Sequence, residues 1–202
     1  MSHCSFHLPL LKKLHLIDVH LDDIEDLKKL ISEFPILEDL KTSYVTSSVG
    51  VEFTAGGYSK PLSKLIKANI RLFDVPLRVV SNVQFLTVTR MGQILPNQEI
   101  NSYYQGYPMF ENVIELRLFW FDHCIHDWYA VVQMLHYCPK HQTLPISRWI
   151  GSSTTRGIED WKDSYTIHEC VSSHLTACKI LDYHALEADF RFVTYILQNA
   201  RL

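Results

Sequence analysis

Short apolar segments recur along this chain with one common spacing of apolar and polar positions. The full form is an L-x-x-L-x-L unit, and successive copies begin 26, 28, 18, 30 and 28 residues apart. The apolar positions of one unit bury together only if the strand is short and the next copy stacks beside it. The pattern therefore predicts a row of short, stacked β-strands. The six copies are Leu11–Leu16, Leu37–Leu40, Leu65–Ile70, Val83–Val88, Val113–Leu118 and the degraded His141–Ile146.

Two segments between these strands have the periodicity of amphipathic helices. The first follows two aspartates, whose carboxylates accept hydrogen bonds from the first helical turn, and it ends at Pro35. The second lies at Asp127–Tyr137, before Pro139. Their predicted apolar faces comprise Ile24, Leu27, Leu30, Ile31 and Phe34 in the first helix, and Trp128, Val131, Val132 and Leu135 in the second. A strand, a helix and the next strand make one right-handed β/α coil, the signature of a leucine-rich repeat. We predict an irregular, open α/β leucine-rich-repeat solenoid over residues 1–147.

The C-terminal part of the chain has a different pattern. Residues 147–166 are rich in Gly, Ser and Thr and are predicted to form a linker. A strand is predicted at Ala177–Tyr183 and a helix at Glu187–Ala200. We predict a small α+β cap over residues 148–202, which shields the unpaired edge of the last repeat strand. The predicted apolar face of its helix comprises Phe190, Val193, Ile196, Leu197 and Ala200.

The sixth copy departs from the repeat at two positions. His141 stands at an inward position where other copies have Leu or Val, and Pro145 removes a backbone amide between Leu144 and Ile146. We expect His141 to point into the core, where a leucine would be more stable.

Composition and charge exclude several classes of protein. With 47% hydrophobic and 20% charged residues the chain can bury a core, and its 19 basic and 22 acidic residues give a net charge of −3 with no basic cluster. We therefore expect no nucleic-acid partner. No apolar stretch reaches the ~18 residues of a membrane span, so no membrane partner is expected. Five cysteines without a C-x-x-C pair, no Asn-x-Ser/Thr sequon and no secretion signal favour the cytoplasm or nucleus.

Three groups of residues invite a chemical interpretation, and each has a simpler one. Cys170 lies near His168 and His174, but a buried thiol explains it more simply than a catalytic nucleophile. The segment Ala55–Lys60 has glycines and a lysine without the spacing of a phosphate-binding loop, which indicates a turn. The group His123, Cys124, His126, His136, Cys138 and His141 is dense in possible zinc ligands but lacks the usual knuckle spacing. We expect no enzyme activity, no cofactor and no metal.

Binding has a geometric argument. In each predicted strand the residues between inward positions project from the concave face of the arc, and their mixture of both charges with one aromatic residue suits a protein or peptide ligand. A merely solvated face remains the alternative for any single position, because few residues of an interface carry its energy. The candidate protein-binding residues are Lys13, His15, Asp39, Lys41, Lys67, Asn69, Phe85, Thr87, Glu115 and Arg117.

The order of the blocks resembles one known family. Segments Leu8–Leu40, Pro61–Ile70, Val80–Val88 and Cys138–Ile146 are similar to the plant F-box/LRR-repeat proteins. The tail Trp161–Arg201 resembles the FBD domain that closes many members of that family.

The resemblance implies a function in ubiquitin transfer. In that family an N-terminal F-box docks on the Skp-type adaptor of a cullin ubiquitin ligase, and the repeats present a protein substrate. We expect these 202 residues to lack an F-box, because the first repeat strand follows shortly after Met1, and to lack the final strand of an FBD domain after Leu202. We expect a fragment that recognises a protein substrate and would bind the adaptor only in a longer form with an F-box. The alternative is a truncated, purely structural fragment without a ligand.

Overall fold

The computed structural model describes residues 8–47, 60–72, 74–91, 106–121, 127–149, 171, 173–183, 185 and 187–200. Strands and helices alternate irregularly along these ranges. A short 3-10 helix, Leu77–Val80, lies between the third and fourth strands. The strands and α-helices are β1 (Lys13–Leu21), α1 (Ile24–Ser32), β2 (Asp39–Ser47), β3 (Lys67–Arg71), β4 (Phe85–Met91), β5 (Glu115–Phe121), α2 (Asp127–Tyr137), β6 (Thr143–Trp149), β7 (Ala177–Leu181) and α3 (Glu187–Asn199).

All seven described strands form one parallel sheet in sequence order, from β1 at one edge to β7 at the other. A ladder of backbone hydrogen bonds joins the residues just before successive strands. The amide of Glu38 donates to the carbonyl of Lys12 at 2.8 Å, and that of Ile66 to Glu38 at 2.9 Å. The ladder continues through Gln84, Ile114, Gln142 and Thr176 at 2.7–2.9 Å. Each repeat is therefore fixed to the previous one at the same position, which sets the common register. The predicted α/β class is confirmed.

The L-x-x-L-x-L pattern locates every predicted strand but not its first residue. Strands begin two residues after the first position of each unit, as at Leu65 before β3 and Val113 before β5. These first positions are nevertheless buried, except for Leu11, which is half-buried. His141 is also fully buried at its first position, as predicted.

Helices α1 and α2 bury the faces that their periodicity predicts. Leu27 and Ile31 of α1 are buried, as is Phe34 just after it. Two backbone bonds of 3.2 Å close the helix, from the amide of Glu33 to the carbonyl of Leu30 and from the amide of Phe34 to the carbonyl of Ile31. Because Pro35 cannot continue a helix, the chain turns there into β2. In α2 the buried residues comprise Trp128, Val131, Val132, Met134 and Leu135.

The predicted apolar face of α3 is only partly correct, because Ile196 is buried as predicted whereas two of its other members are exposed. Phe190 and Leu197, which the periodicity places on the buried face, are 61% and 66% exposed. The buried stripe is instead Asp189, Phe192, Tyr195 and Ile196, again at i, i+3 and i+4 spacing. The buried face of α3 differs from the predicted one because two of its side chains contact the Trp128 indole of α2. The Asp189 carboxylate accepts a hydrogen bond from that indole at 3.0 Å. Phe192 stacks on the same indole at 4.0 Å between ring centroids.

The C-terminal strand continues the sheet. Strand β7 pairs in parallel with β6, with Leu144 beside Cys178 and Ile146 beside Ile180. Leu175, Cys178 and Ile180 thus have the L-x-x-L-x-L spacing and form a seventh copy that the sequence pattern did not reveal. The boundary between residues 147 and 148 stays a prediction. Of the predicted linker at 147–166, residues 147–149 belong instead to β6, so that part of the prediction is wrong, and residues 150–166 lie outside the described residues.

One hydrophobic cluster joins the inward side of the sheet to the helices. It comprises inward strand residues such as Leu86 and Leu116, residues of α1 and α2, and Phe192 of α3. Among the helices within the described ranges, none is long and apolar enough to cross a membrane.

Candidate functional site

The ten predicted binding residues lie on one face of the sheet in two rows. The first row follows the register from Lys13 through Asp39, Lys67 and Phe85 to Glu115. The second row runs two residues further along each strand and consists of His15, Lys41, Asn69, Thr87 and Arg117. Since neighbouring strands are ~4.8 Å apart, each row is a continuous line of side chains across five strands. We call this surface the ladder face.

Alternation along the strands separates the ladder face from the core. In β4 and β5 the residues between rows, Leu86 and Leu116, are buried, whereas Phe85 and Arg117 are exposed. Asp39, Lys41, Asn69, Thr87 and Glu115 are half-buried by their neighbours in the rows. The period of two in a strand is the reason, because successive side chains point to opposite sides of a sheet. The sequence placed these ten residues correctly, and their binding role stays a prediction.

The middle of the ladder face is an open cleft of about 450 Å³. Lys67 and Asn69 of β3 form one wall, and Glu115 and Arg117 of β5 form the other. Phe85 lies between them and is 41% exposed. An exposed aromatic residue between polar walls is the arrangement found at the centre of protein interfaces.

The cleft includes a residue that the sequence interpretation did not select. Phe119 of β5 is half-buried and lines the cleft beside Arg117. It comes directly after Leu118, the last position of the L-x-x-L-x-L unit, and the predicted binding residues were all taken from within the units. Extending the alternation of outward residues by one step along β5 would have found it, because the strand continues to Phe121.

Charges on the ladder face are unevenly paired. The guanidinium of Arg117 contacts Glu115 of the same strand at 3.1 Å. Among the described residues, neither Lys41 nor Lys67 has an ion-pair or hydrogen-bond partner. Of the ten residues four are permanently basic and two are acidic, although the whole chain has a net charge of −3. The ladder face is therefore more basic than the rest of the molecule.

A buried polar cluster supports the end of β2 away from the ladder face. Asp74 is 2% exposed, and its carboxylate accepts hydrogen bonds from the backbone amides of Val45 and Tyr44. Burial raises the pKa of Asp74 to about 6, and these bonds offset only part of that rise. Arg71 lies 3.9 Å from the carboxylate and 4.4 Å above the Tyr44 ring. Tyr44 has a φ of 59°, which is costly for a residue with a Cβ, so the cluster holds a strained bend in β2.

The possible metal and thiol residues are only partly within the described residues. His123, Cys124, His126 and Cys170 are not, nor are residues 55–59. His136 is exposed, whereas Cys138 and His141 are buried together, with the His141 Nδ1–H donating to the Cys138 carbonyl at 2.7 Å. Burial lowers the pKa of His141. In the described ranges no three His, Cys, Asp or Glu side chains are grouped as a metal ion requires.

Comparison with known proteins gives two matches. Residues 166–202 match the FBD family. Over 137 residues the chain is 28% identical to an F-box/FBD/LRR-repeat protein of Arabidopsis thaliana. That alignment covers 67% of this chain and 30% of the relative, so the chain spans less than a third of the relative's length. No solved structure matches the chain significantly.

Proposed function

We propose that this chain, which is related to the plant F-box/FBD/LRR-repeat proteins, is a protein-binding module whose partner lies on the ladder face. The relationship, which the sequence alone indicated, is confirmed by both matches. The observation that supports the binding role is the cleft, in which an exposed phenylalanine lies between polar walls contributed by three strands.

The proposal interprets the parallel sheet as a leucine-rich-repeat solenoid. Regular pairing of β1 to β7 in sequence order and the repeated backbone bonds before each strand support this interpretation. In such an array each repeat contacts only its neighbours, so outward residues of successive strands form one long surface. Proteins or peptides fit such a surface because it is continuous and chemically mixed.

The finer role is recognition of a substrate for a Skp-cullin-F-box ubiquitin ligase. The name of the Arabidopsis relative combines an F-box with FBD and LRR regions. The similarity to this relative extends over 137 residues of the chain, and adaptor docking is assigned to an F-box in a longer form. This role requires a cytoplasmic or nuclear location and assigns binding, not catalysis, to these 202 residues.

An affinity experiment tests the binding role. The immobilised chain is incubated with plant extract, and captured proteins are identified by mass spectrometry for the unchanged chain, for Phe85→Ala and for Leu197→Ala. Leu197 is an exposed apolar residue of α3 away from the ladder face, so it is the matched control. We expect a partner that is lost with Phe85→Ala and retained with Leu197→Ala. Capture of chaperones alone, unchanged by either substitution, would instead indicate a structural fragment without a ligand.

A second experiment tests the ligase role. Fusing an F-box to the N-terminus should allow the chain to bind a Skp-type adaptor and to promote ubiquitination of the captured partner. Ubiquitination that is unchanged by Phe85→Ala would contradict substrate recognition through the ladder face.

A further inference from the structure

Phe85 provides an apolar anchor at the centre of the ladder face. Its ring lies on the fourth of seven strands, and Phe119 lines the same cleft from the next strand. Aromatic residues that become fully desolvated at the centre of an interface contribute most of its binding energy. A ligand residue that covers Phe85 must therefore be bulky and apolar.

Unpaired positive charge lies on one side of this anchor. Lys67 is adjacent to Phe85 in the first row, and Lys41 lies on the next strand in the second row. Asp39 is the register neighbour of both Lys13 and Lys67, so one carboxylate faces two ammonium groups. On the other side of Phe85, Arg117 is already neutralised by Glu115. An acidic group of a ligand is therefore attracted to the β2–β3 side of the cleft.

Distances across the sheet fix how far apart the two ligand groups lie. One strand spacing, about 5 Å, separates the backbones of Lys67 and Phe85, and two spacings, about 10 Å, separate β2 from β4. In an extended peptide, side chains two residues apart lie on the same side at about 7 Å. This distance lies between one and two strand spacings. An acidic residue and an apolar residue with one residue between them match the lysines and Phe85 together.

We infer that the ladder face binds an extended segment of a partner protein in which an acidic residue is separated by one residue from a bulky apolar residue. The acidic residue lies at Lys67 and Lys41, and the apolar residue covers Phe85 and Phe119. This inference rests on the proposed function and names the chemistry of the partner. It predicts that binding weakens with ionic strength, because exposed ion pairs are screened by salt.

Selection from a displayed library of random peptides on the full chain tests the inference. We expect enrichment of peptides with the acidic–x–apolar spacing. A selected peptide is then synthesised with a fluorescent label, and its affinity is measured by anisotropy at low and high salt. Replacing its acidic residue by the neutral amide should weaken binding about tenfold, as expected for a charge at a partly desolvated contact.

Charge reversal in the protein provides the sharper test. Lys67→Glu should weaken binding of the acidic peptide at least about tenfold and shift the selection toward peptides with a basic residue at that position. Lys64→Glu is the matched control, because Lys64 is also an exposed lysine, in the turn before β3 and outside the ladder face. Circular dichroism and melting of each variant establish that it is folded, and Lys41→Glu provides a second reversal in the other row.

The outcomes separate the inference from the proposed function. Peptides that depend on Phe85 but show no acidic preference, or a preference unaffected by both reversals, would overturn the inference and leave the binding role standing. Peptides insensitive to Phe85→Ala, or no enrichment at all, would overturn both.

Discussion

In the middle of the sheet, Leu86 and Leu116 fill the inward positions of β4 and β5 and are fully buried. At the C-terminal edge, Cys178 holds the same position in β7 and is exposed, and His141 replaces an inward leucine before β6. There, besides the pairing of β7 with β6, a specific contact holds α3, that of the Trp128 indole with Asp189 and Phe192. The comparison indicates that apolar residues at the repeated inward positions are sufficient to stabilise a repeat that has a neighbour on each side. An edge repeat lacks one neighbour and needs particular side chains.

Two buried titratable groups extend the comparison. Asp74 supports β2 in the N-terminal half, and burial raises its pKa. His141 lies in the C-terminal half, and burial lowers its pKa. Both shifts have the same cause, because burial disfavours the charged form, yet the two groups have opposite effects on stability as pH changes.

The largest expected effect is a loss of stability that differs between two repeats at the same position of the unit. Leu116→Ala should lower the free energy of unfolding by about 3 to 5 kcal/mol, because it leaves a cavity in a fully packed core. Cys178→Ala, at the corresponding position of β7, should cost less than ~1 kcal/mol because that side chain is already exposed. Urea denaturation of both variants measures the difference. Equal costs would mean that the edge repeat is packed as tightly as the middle.

The second effect concerns Asp74. Its pKa is raised from 3.8 to about 6, so between these values the folded state binds more protons than the unfolded state. Stability should therefore fall by roughly 2 to 3 kcal/mol as pH rises from about 4 to 6, and stay lower above 6. Asp74→Asn should remove this dependence. Urea midpoints of both proteins across this range measure it, and parallel curves would contradict burial of the carboxylate.

Next in size is the contact that holds α3. Asp189→Ala should cost about 2 kcal/mol, because it removes the acceptor of a buried indole N–H. Asp189→Asn retains an acceptor oxygen and is the control. A double-mutant cycle with Trp128→Phe, which keeps a stacking ring, isolates the coupling between the two side chains. Additive costs would show that the hydrogen bond does not fasten the end of the array.

The smallest expected effect is a gain in stability from replacing His141. His141→Leu should raise the free energy of unfolding by roughly 1 to 2 kcal/mol at neutral pH, because an imidazole with its Nε2 buried and unpaired within the described residues is replaced by an apolar side chain.

The same substitution has a pH dependence. The pKa of His141 is lowered from 6.5 in the folded state, so the unfolded state binds more protons below that pH and the unchanged protein loses stability as pH falls through 6.5. The gain from leucine should therefore grow as the solution is acidified. A constant gain across this range would mean that residue 141 titrates normally.

The sequence by itself determined the number and order of the first six strands, the faces of α1 and α2, and the two rows of the ladder face. These features depend on local periodicity, since a period of two separates the sides of a strand and a period of 3.6 the sides of a helix. Even the degraded copy at His141 was assigned correctly, because its neighbours fixed the register.

Only the tertiary structure decided the rest. Leu175 was not recognised as the start of a seventh copy because Cys178 is a weak substitute for leucine. Part of the face of α3 was misassigned because hydrophobicity favours Phe190 and Leu197, whereas the Trp128 indole across the interface requires a hydrogen-bond acceptor, which Asp189 provides. The cluster of Asp74, Arg71 and Tyr44 joins β2 to the end of β3 with 26 residues between Tyr44 and Arg71, and no local periodicity predicts such a contact. A partner that lies far along the chain is visible only when the fold brings it near.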